Sequence, residues 1–185
     1  MSSRHVFTPI LIAASLVLLI SFAIRASFGV FQIPIANDLG WFRTEFSLAI
    51  AIQNLAWGIA TPLFGAFAEK LGDRKAVVVG VLVYALGLAL SSMASTATSH
   101  QLLEILVGVG IAGTGFGVIL GVGGRGASDE TRSLALGLTP AAGSAGQIVG
   151  PPLTQYLLNA TTWQNVFLMY AGVILLALLA LPFMK

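Results

Sequence analysis

The sequence predicts an all-α membrane protein of six transmembrane helices with both termini in the cytoplasm. Three observations predict it. The chain is 57% hydrophobic and only 9% charged, with a mean hydropathy of +0.93, whereas soluble domains carry about 25% charged residues. Its apolar residues gather into six runs near the ~20-residue length that crosses a bilayer. Its basic residues then collect on one side of the resulting serpentine. The 185 residues form a single transmembrane bundle, 1–185, with no low-complexity linker and no separate soluble domain.

The first span covers about 7–36. Arg4 precedes an apolar run over 6–24, longer than the ~7–15-residue core of a signal peptide and lacking a small-residue cleavage pattern, so it reads as a retained helix. Arg25 follows inside the same span. A guanidinium at membrane depth costs at least ~2.5–3.5 kcal/mol and normally faces a water-filled cavity or a partner. Its planar fork suits a carboxylate; the alternative is a bond to a helix-end carbonyl, or snorkelling outward. Phe28 and Phe31, three residues apart, share roughly one face and either line a pocket or simply pack.

The second span covers about 46–68. Gln53, Trp57 and Thr61 recur every four residues on one face, with Asn54, Gly58 and Pro62 on the neighbouring one. Amides at that depth need a partner helix or a water path, which makes Gln53 and Asn54 either cavity-lining or interhelical ties. A tight charged turn over 69–75 leads to the third span, about 76–96, and carries Lys70, Arg74 and Lys75. The fourth span, about 102–123, holds Gly108, Gly110, Gly113, Gly115 and Gly117. No strand precedes them and no Lys-Ser/Thr follows, so they read as small-residue packing and not as a phosphate loop. Glu104 lies near the outer end of this span, as an interfacial acid or a proton-coupling group. The fifth span, about 133–158, contains Gly143-Ser144-Ala145-Gly146-Gln147-Ile148-Val149-Gly150-Pro151-Pro152, and proline predicts a kink or local unwinding near Pro151. The sixth covers about 164–184. Connections over 37–45, 69–75, 97–101, 124–132 and 159–163 are short, so sequential helices are antiparallel neighbours.

With the N-terminus inside, the cytoplasmic side receives Arg4, Lys70, Arg74, Lys75, Arg125, Arg132 and Lys185, and the outer side only Arg43. That bias explains the net charge of +2 through orientation in a lipid bilayer, not through a nucleic-acid face. The absence of cysteine removes thiol chemistry, and His5 and His100 are too far apart in sequence to suggest a metal cluster. No cofactor is expected. With no Gly-x-Ser-x-Gly and no carboxylate pair or His-rich helix inside a span, no enzyme signature is present either.

Gly65-Ala66-Phe67-Ala68-Glu69-Lys70-Leu71-Gly72-Asp73-Arg74-Lys75 resembles the loop between helices 2 and 3 of the major facilitator superfamily, written G-x-L-x-D-R-x-G-R-R/K. Gly65, Gly72, Arg74 and Lys75 fall on its fixed positions, Glu69 replaces the usual Asp, Lys70 the usual Arg, and Asp73 is an added acid. Arg25-Ala26-Ser27-Phe28-Gly29-Val30-Phe31 with Gly40-Trp41 resembles the helix 1 region of the oxalate/formate antiporter and monocarboxylate transporter branch. Gly146-x-x-x-Gly150-Pro151 resembles the helix 5 motif of superfamily antiporters, and the segment from Asp129 to Gly137 resembles the loop before it. The arginine that many members place in helix 4 is absent.

The resemblance implies the N-terminal six-helix half of a transporter, itself a 3+3 inverted repeat. The implied function is secondary active transport of a small organic anion, a monocarboxylate, by alternating access, with protons or a counter-anion as coupling partner. Arg25, Gln53, Asn54, Phe28 and Trp57 are then the substrate-binding candidates. Gly65, Glu69, Lys70, Gly72, Arg74 and Lys75 are the gate, and Gly146, Gly150 and Pro151 the helix 5 packing motif. The implied location is a bacterial inner membrane. The chain stops at Lys185, where a long cytoplasmic connection would begin. The expectation is either a truncated product lacking a C-terminal six-helix half, or a homodimer that rebuilds it. The alternatives are drug/proton antiport, and a non-transporting half-transporter that binds a membrane partner.

Overall fold

The structure, a computed structural model, describes residues 8–125 and 127–184; Arg4, His5 and Lys185, used in the reading of orientation and metal sites above, lie outside them. The described residues are helical with short connections and contain no strand. Helix α1 (Pro9–Ser27) passes through a 3-10 turn (Phe28–Phe31) into α2 (Gln32–Leu39). After it come α3 (Arg43–Leu71), α4 (Asp73–Ser91), α5 (Ala97–Thr114), α6 (Phe116–Arg125), α7 (Arg132–Ala160) and α8 (Trp163–Leu175), which runs on as a 3-10 stretch (Leu176–Phe183).

Five helical stretches are long and apolar enough to cross a membrane: Pro9–Leu39, Arg43–Leu71, Asp73–Ser91, Ala97–Arg125 and Trp163–Phe183. The remaining expected span, about 133–158, is present as α7, and its 29 residues have the length. Its glycines, three prolines and hydroxyl residues lower its hydropathy, so length and composition mark five spans and not six.

Close backbone approach through glycine sets the packing, as small residues allow in lipid. A Cβ added at Gly80 of α4 would lie 2.6 Å from the Cα of Gly113 in α5. Gly146 and Gly150 of α7 rest against the backbone of Leu19 and Ala23 in α1, and Gly108 of α5 against that of Gln53 in α3. The core between these pairs holds Phe22, Phe31, Phe46, Tyr84 and Phe167, each fully buried. Two polar ties cross it. The Tyr84 hydroxyl donates to the Ser21 carbonyl at 3.2 Å, and Ser21 and Thr114 share a 2.8 Å hydrogen bond. Leu55, Ile59 and Leu63 on α3 and Ile148 and Tyr156 on α7 face outward, as apolar side chains against lipid or another bundle would.

Local chemistry corrects several expected boundaries. The charged turn over 69–75 contracts to Gly72 alone, because glycine takes φ +97° and ψ 149° there. Glu69 and Lys70 join the end of α3, while Asp73, Arg74 and Lys75 open α4, where an acid suits the positive helix end. The expected 97–101 connection is helical, because Thr96 caps α5: its Oγ1 accepts from the Ser99 amide at 3.2 Å. The fourth span breaks at Gly115, extended at φ −95°, ψ −169°, which separates α5 from α6. Of the kink or local unwinding expected near Pro151, the unwinding does not occur: α7 runs without interruption through Pro151 and Pro152.

Gly72→Ala tests the turn. A Cβ there meets nothing within 4 Å, so the expected loss of about 1–3 kcal/mol arises from the backbone conformation alone. It should appear as a lower thermal midpoint in detergent, with Gly65→Ala, also sterically free, as control.

Candidate functional site

A lone guanidinium in an apolar helix must be satisfied by what surrounds it. Arg25, partly buried in α1, donates from Nη2 to Asn54 Oδ1 at 2.9 Å. Its guanidinium carbon lies 4.5 Å from the Trp57 ring centroid and 5.9 Å from that of Phe22, within cation–π range. Asn54 is itself held, because its Nδ2 donates to the Ile50 carbonyl at 2.8 Å and so turns Oδ1 toward Arg25. One donor of the guanidinium is thus occupied, and Nε is buried without a hydrogen-bond partner among the described residues.

Of the five expected substrate contacts, the structure brings Arg25, Asn54 and Trp57 together. Phe28 lies elsewhere, its ring centroid 6.3 Å from Phe31 and 5.8 Å from Phe167 in the core. Gln53 turns the other way, fully buried, and donates from Nε2 to Glu104 Oε2 at 2.6 Å. Around that carboxyl lie Ser91, whose hydroxyl donates to Oε1 at 3.4 Å, and His100, whose Nε2 is 3.7 Å from the same oxygen. Glu104, His100 and Ser91 are all at most 1% exposed. The His100 ring sits between Phe46, at 5.7 Å, and Trp41, at 5.6 Å. The expectation that Glu104 is an interfacial acid therefore gives way to a buried one, because α3 and α4 both close over it. Ser91 and His100 went unrecognised; the i, i+4 spacing of His100 and Glu104 behind a Thr cap was the available signal.

Among the gate candidates, Glu69, Lys70 and Lys75 are exposed and Gly65 is half-buried. Arg74 donates from Nε to the Met184 carbonyl and from Nη2 to the Pro182 carbonyl, the latter at 2.9 Å, and so caps the last helical stretch. Asp73 is buried and pairs with Arg125 of α6 through Nε, at 3.1 Å, and Nη2. Arg125 entered the sequence reading only as an orientation charge. Its guanidinium is half-exposed, so the pair is worth about 1 kcal/mol or less. Asp73→Asn and Arg125→Gln should each lower the thermal midpoint slightly. A double-mutant cycle should return a coupling of about 0.5–1 kcal/mol that shrinks with salt. In the helix 5 motif, Gly146 and Gly150 are buried against α1, and Thr154, one turn on, bonds the Tyr170 hydroxyl of α8.

Apolar helices packed through glycine around a few buried polar side chains define an integral, multi-pass membrane protein. Residues 13–185 match the family model of the Major Facilitator Superfamily, and the chain belongs to that superfamily, whose members are transporters and not enzymes. Similar curated proteins include Monocarboxylate transporter 13 of Rattus norvegicus, 32% identical over 159 residues, covering 82% of this chain and 35% of that protein. The Probable L-galactonate transporter of Escherichia coli is 26% identical over 153 residues, covering 80% of this chain and 33% of its own length. The Methyl viologen resistance protein SmvA of Salmonella typhimurium is 25% identical over 142 residues, covering 77% and 27% respectively. The chain therefore spans about a third of the length of the curated relatives it matches.

Proposed function

We propose that this chain is the N-terminal six-helix unit of a secondary transporter for a small organic anion, a monocarboxylate, with Arg25 as the anion-holding group. The observation that carries the reading is the Arg25 guanidinium, fixed by Asn54 and Trp57 with Nε unpartnered at the middle of a membrane span. A carboxylate is the ligand whose two oxygens match such a fork. In this reading α7 is the fifth of six spans, both termini face the cytoplasm of a bacterial cell, and the two triplets of spans form the 3+3 repeat. A second six-helix unit, from the same protein or a second copy, completes the cavity, and the two rock about it. Asp73–Arg125 and the Arg74 cap then lock the cytoplasmic end, with the exposed Glu69, Lys70 and Lys75 available to the second unit. The names of the monocarboxylate and L-galactonate transporters support a carboxylate.

The SmvA relative favours a second reading, drug/proton antiport. Uptake of labelled lactate, formate and oxalate into proteoliposomes, with chemical crosslinking for dimers, separates these. Saturable uptake lost in Arg25→Gln supports the anion reading. Export of methyl viologen that ignores Arg25→Gln supports the second. A folded protein with neither uptake nor lactate binding overturns the anion site.

A further inference from the structure

We propose that the groove between the α3–α4 elbow and the last 3-10 stretch binds an anionic phospholipid, its phosphate held by Arg74 and Lys75 and its acyl chains laid along α3 and α4. The site shares no residue with Arg25, Asn54 or Trp57, so it stands or falls apart from the substrate reading.

The groove changes chemistry along its length. It encloses about 800 Å³, within the ~300–1,000 Å³ of small-ligand clefts. Arg74 and Lys75 line it from the first turn of α4, and the other walls are apolar: Phe67 of α3, Val78 and Val79 of α4, and Leu178, Leu181 and Pro182 of the 3-10 stretch. Arg74 and Val78, like Lys75 and Val79, are four residues apart, so each cation has an apolar side chain one turn along the same face. A smaller hollow of about 200 Å³ continues the groove. Phe67 and Val79 line both, and Leu63 and Phe64 carry the apolar wall further along α3. Those two lie roughly 12 Å or more from Gly72 at the helical rise, away from the charged end. A polar head and a hydrocarbon tail fit such a gradient.

The charge at the head end is uncompensated. Arg74 is oriented by the carbonyls of Met184 and Pro182, neutral acceptors that fix the guanidinium without cancelling its charge. Lys75 is exposed, and no acidic side chain lines the groove among the described residues. Asp73, next in sequence, is already paired with Arg125. A phosphodiester supplies the missing oxygens. A zwitterionic headgroup would bring its own cation, for which the lining offers no carboxylate, so the groove favours a lipid of net negative charge. Basic pockets between membrane helices hold such headgroups. Beyond the groove, Val79, Leu82, Leu86 and Leu90 recur at three- and four-residue spacing on α4, and all four are exposed. The groove therefore opens onto a continuous apolar face, which acyl chains would cover and a soluble anion would leave unused.

Native mass spectrometry of the full chain in neutral detergent, mixed with equal amounts of phosphatidylglycerol and phosphatidylcholine, tests the site. The wild type should retain phosphatidylglycerol preferentially and melt at a higher temperature in its presence, as binding to the folded state requires. Lys75→Gln should lower that affinity about tenfold, the loss of one charge-assisted hydrogen bond. Val79→Trp, at an exposed position, should fill the apolar part and lower it as well. Lys70→Gln, which removes the same charge near the elbow but outside the groove, should not. Inorganic phosphate should neither compete nor raise the melting temperature. Equal retention of the two lipids by the wild type overturns the site. Equal losses in Lys75→Gln and Lys70→Gln mark diffuse surface charge and overturn it too. Competition by inorganic phosphate, with Val79→Trp unaffected, replaces the lipid with a free anion. Retention unchanged in both Lys75→Gln and Val79→Trp puts the lipid elsewhere, and dimerisation lost in Val79→Trp with no lipid retained gives the groove to a second copy. None of these readouts involves lactate or Arg25, so failure here and failure of the anion site are told apart.

Discussion

Replacing Gly146 and Gly150 together by leucine should leave the protein unable to form its bundle. A side chain at either position would meet the main chain of α1, at Leu19 and at Ala23, and not the movable end of a side chain. The α1–α7 contact is among the most extensive in the fold, and it closes through these two points four residues apart. Overpacking a tight site costs about 1–3 kcal/mol and occasionally more, and here neither backbone can yield without separating the two helices. Two such insertions reach a large fraction of the ~5–15 kcal/mol that holds an ordinary domain together. The expected result is aggregation on size-exclusion chromatography and no cooperative thermal transition. Gly137→Ala, on the same helix but with open space around it, should be neutral or gain up to about 1 kcal/mol from helix propensity. A well-folded double leucine variant would show that α1 and α7 are not in backbone contact.

Arg25→Gln is the second large effect, and it should fall on function more than on stability. The guanidinium contributes one 2.9 Å bond to Asn54 and a face to Trp57, which glutamine partly replaces. What it cannot replace is the charge. Loss of a bidentate, charge-assisted contact of about 3 kcal/mol corresponds to about a hundredfold in lactate affinity. Arg25→Lys keeps the charge without the planar fork and should recover only part of it. Equal losses in both variants would mean that shape at Trp57 and not charge sets binding; no loss in either would remove Arg25 from the site.

Sequence reading located the helices well and the contacts between them unevenly. Apolar run length located the five stretches long and apolar enough to cross a membrane, since bilayer thickness fixes that scale, whereas α7 has the length without the hydropathy. Arg25 stood out because charge is costly at membrane depth, and Asn54 and Trp57 fall beside it in the structure as the helical spacing of α3 allowed. The same spacing could not assign Gln53. An amide in a span needs a partner, but only the fold names that partner as Glu104 on α5, 51 residues away. Glu104 looked interfacial because its depth depends on α5 starting at Ala97, a boundary set by the Thr96 cap and not by hydropathy. The charged turn was legible as a motif, whereas its collapse to a single glycine was not. Local charge cannot reveal that Asp73 has a partner in Arg125, 52 residues on.

The interruption at Gly115 has a mechanical meaning. It cuts one membrane-length rod into two levers, the first carrying His100 and Glu104 and the second ending in Arg125. The repeating amide-to-carbonyl ladder is broken between them at Gly115, so no continuous helix joins the two along the axis. α3, by contrast, is one unbroken strut of 29 residues, roughly 43 Å at the helical rise. α3 therefore joins the Gln53–Glu104 contact rigidly to the Gly72 elbow, on whose far side Asp73 and its ion pair stand.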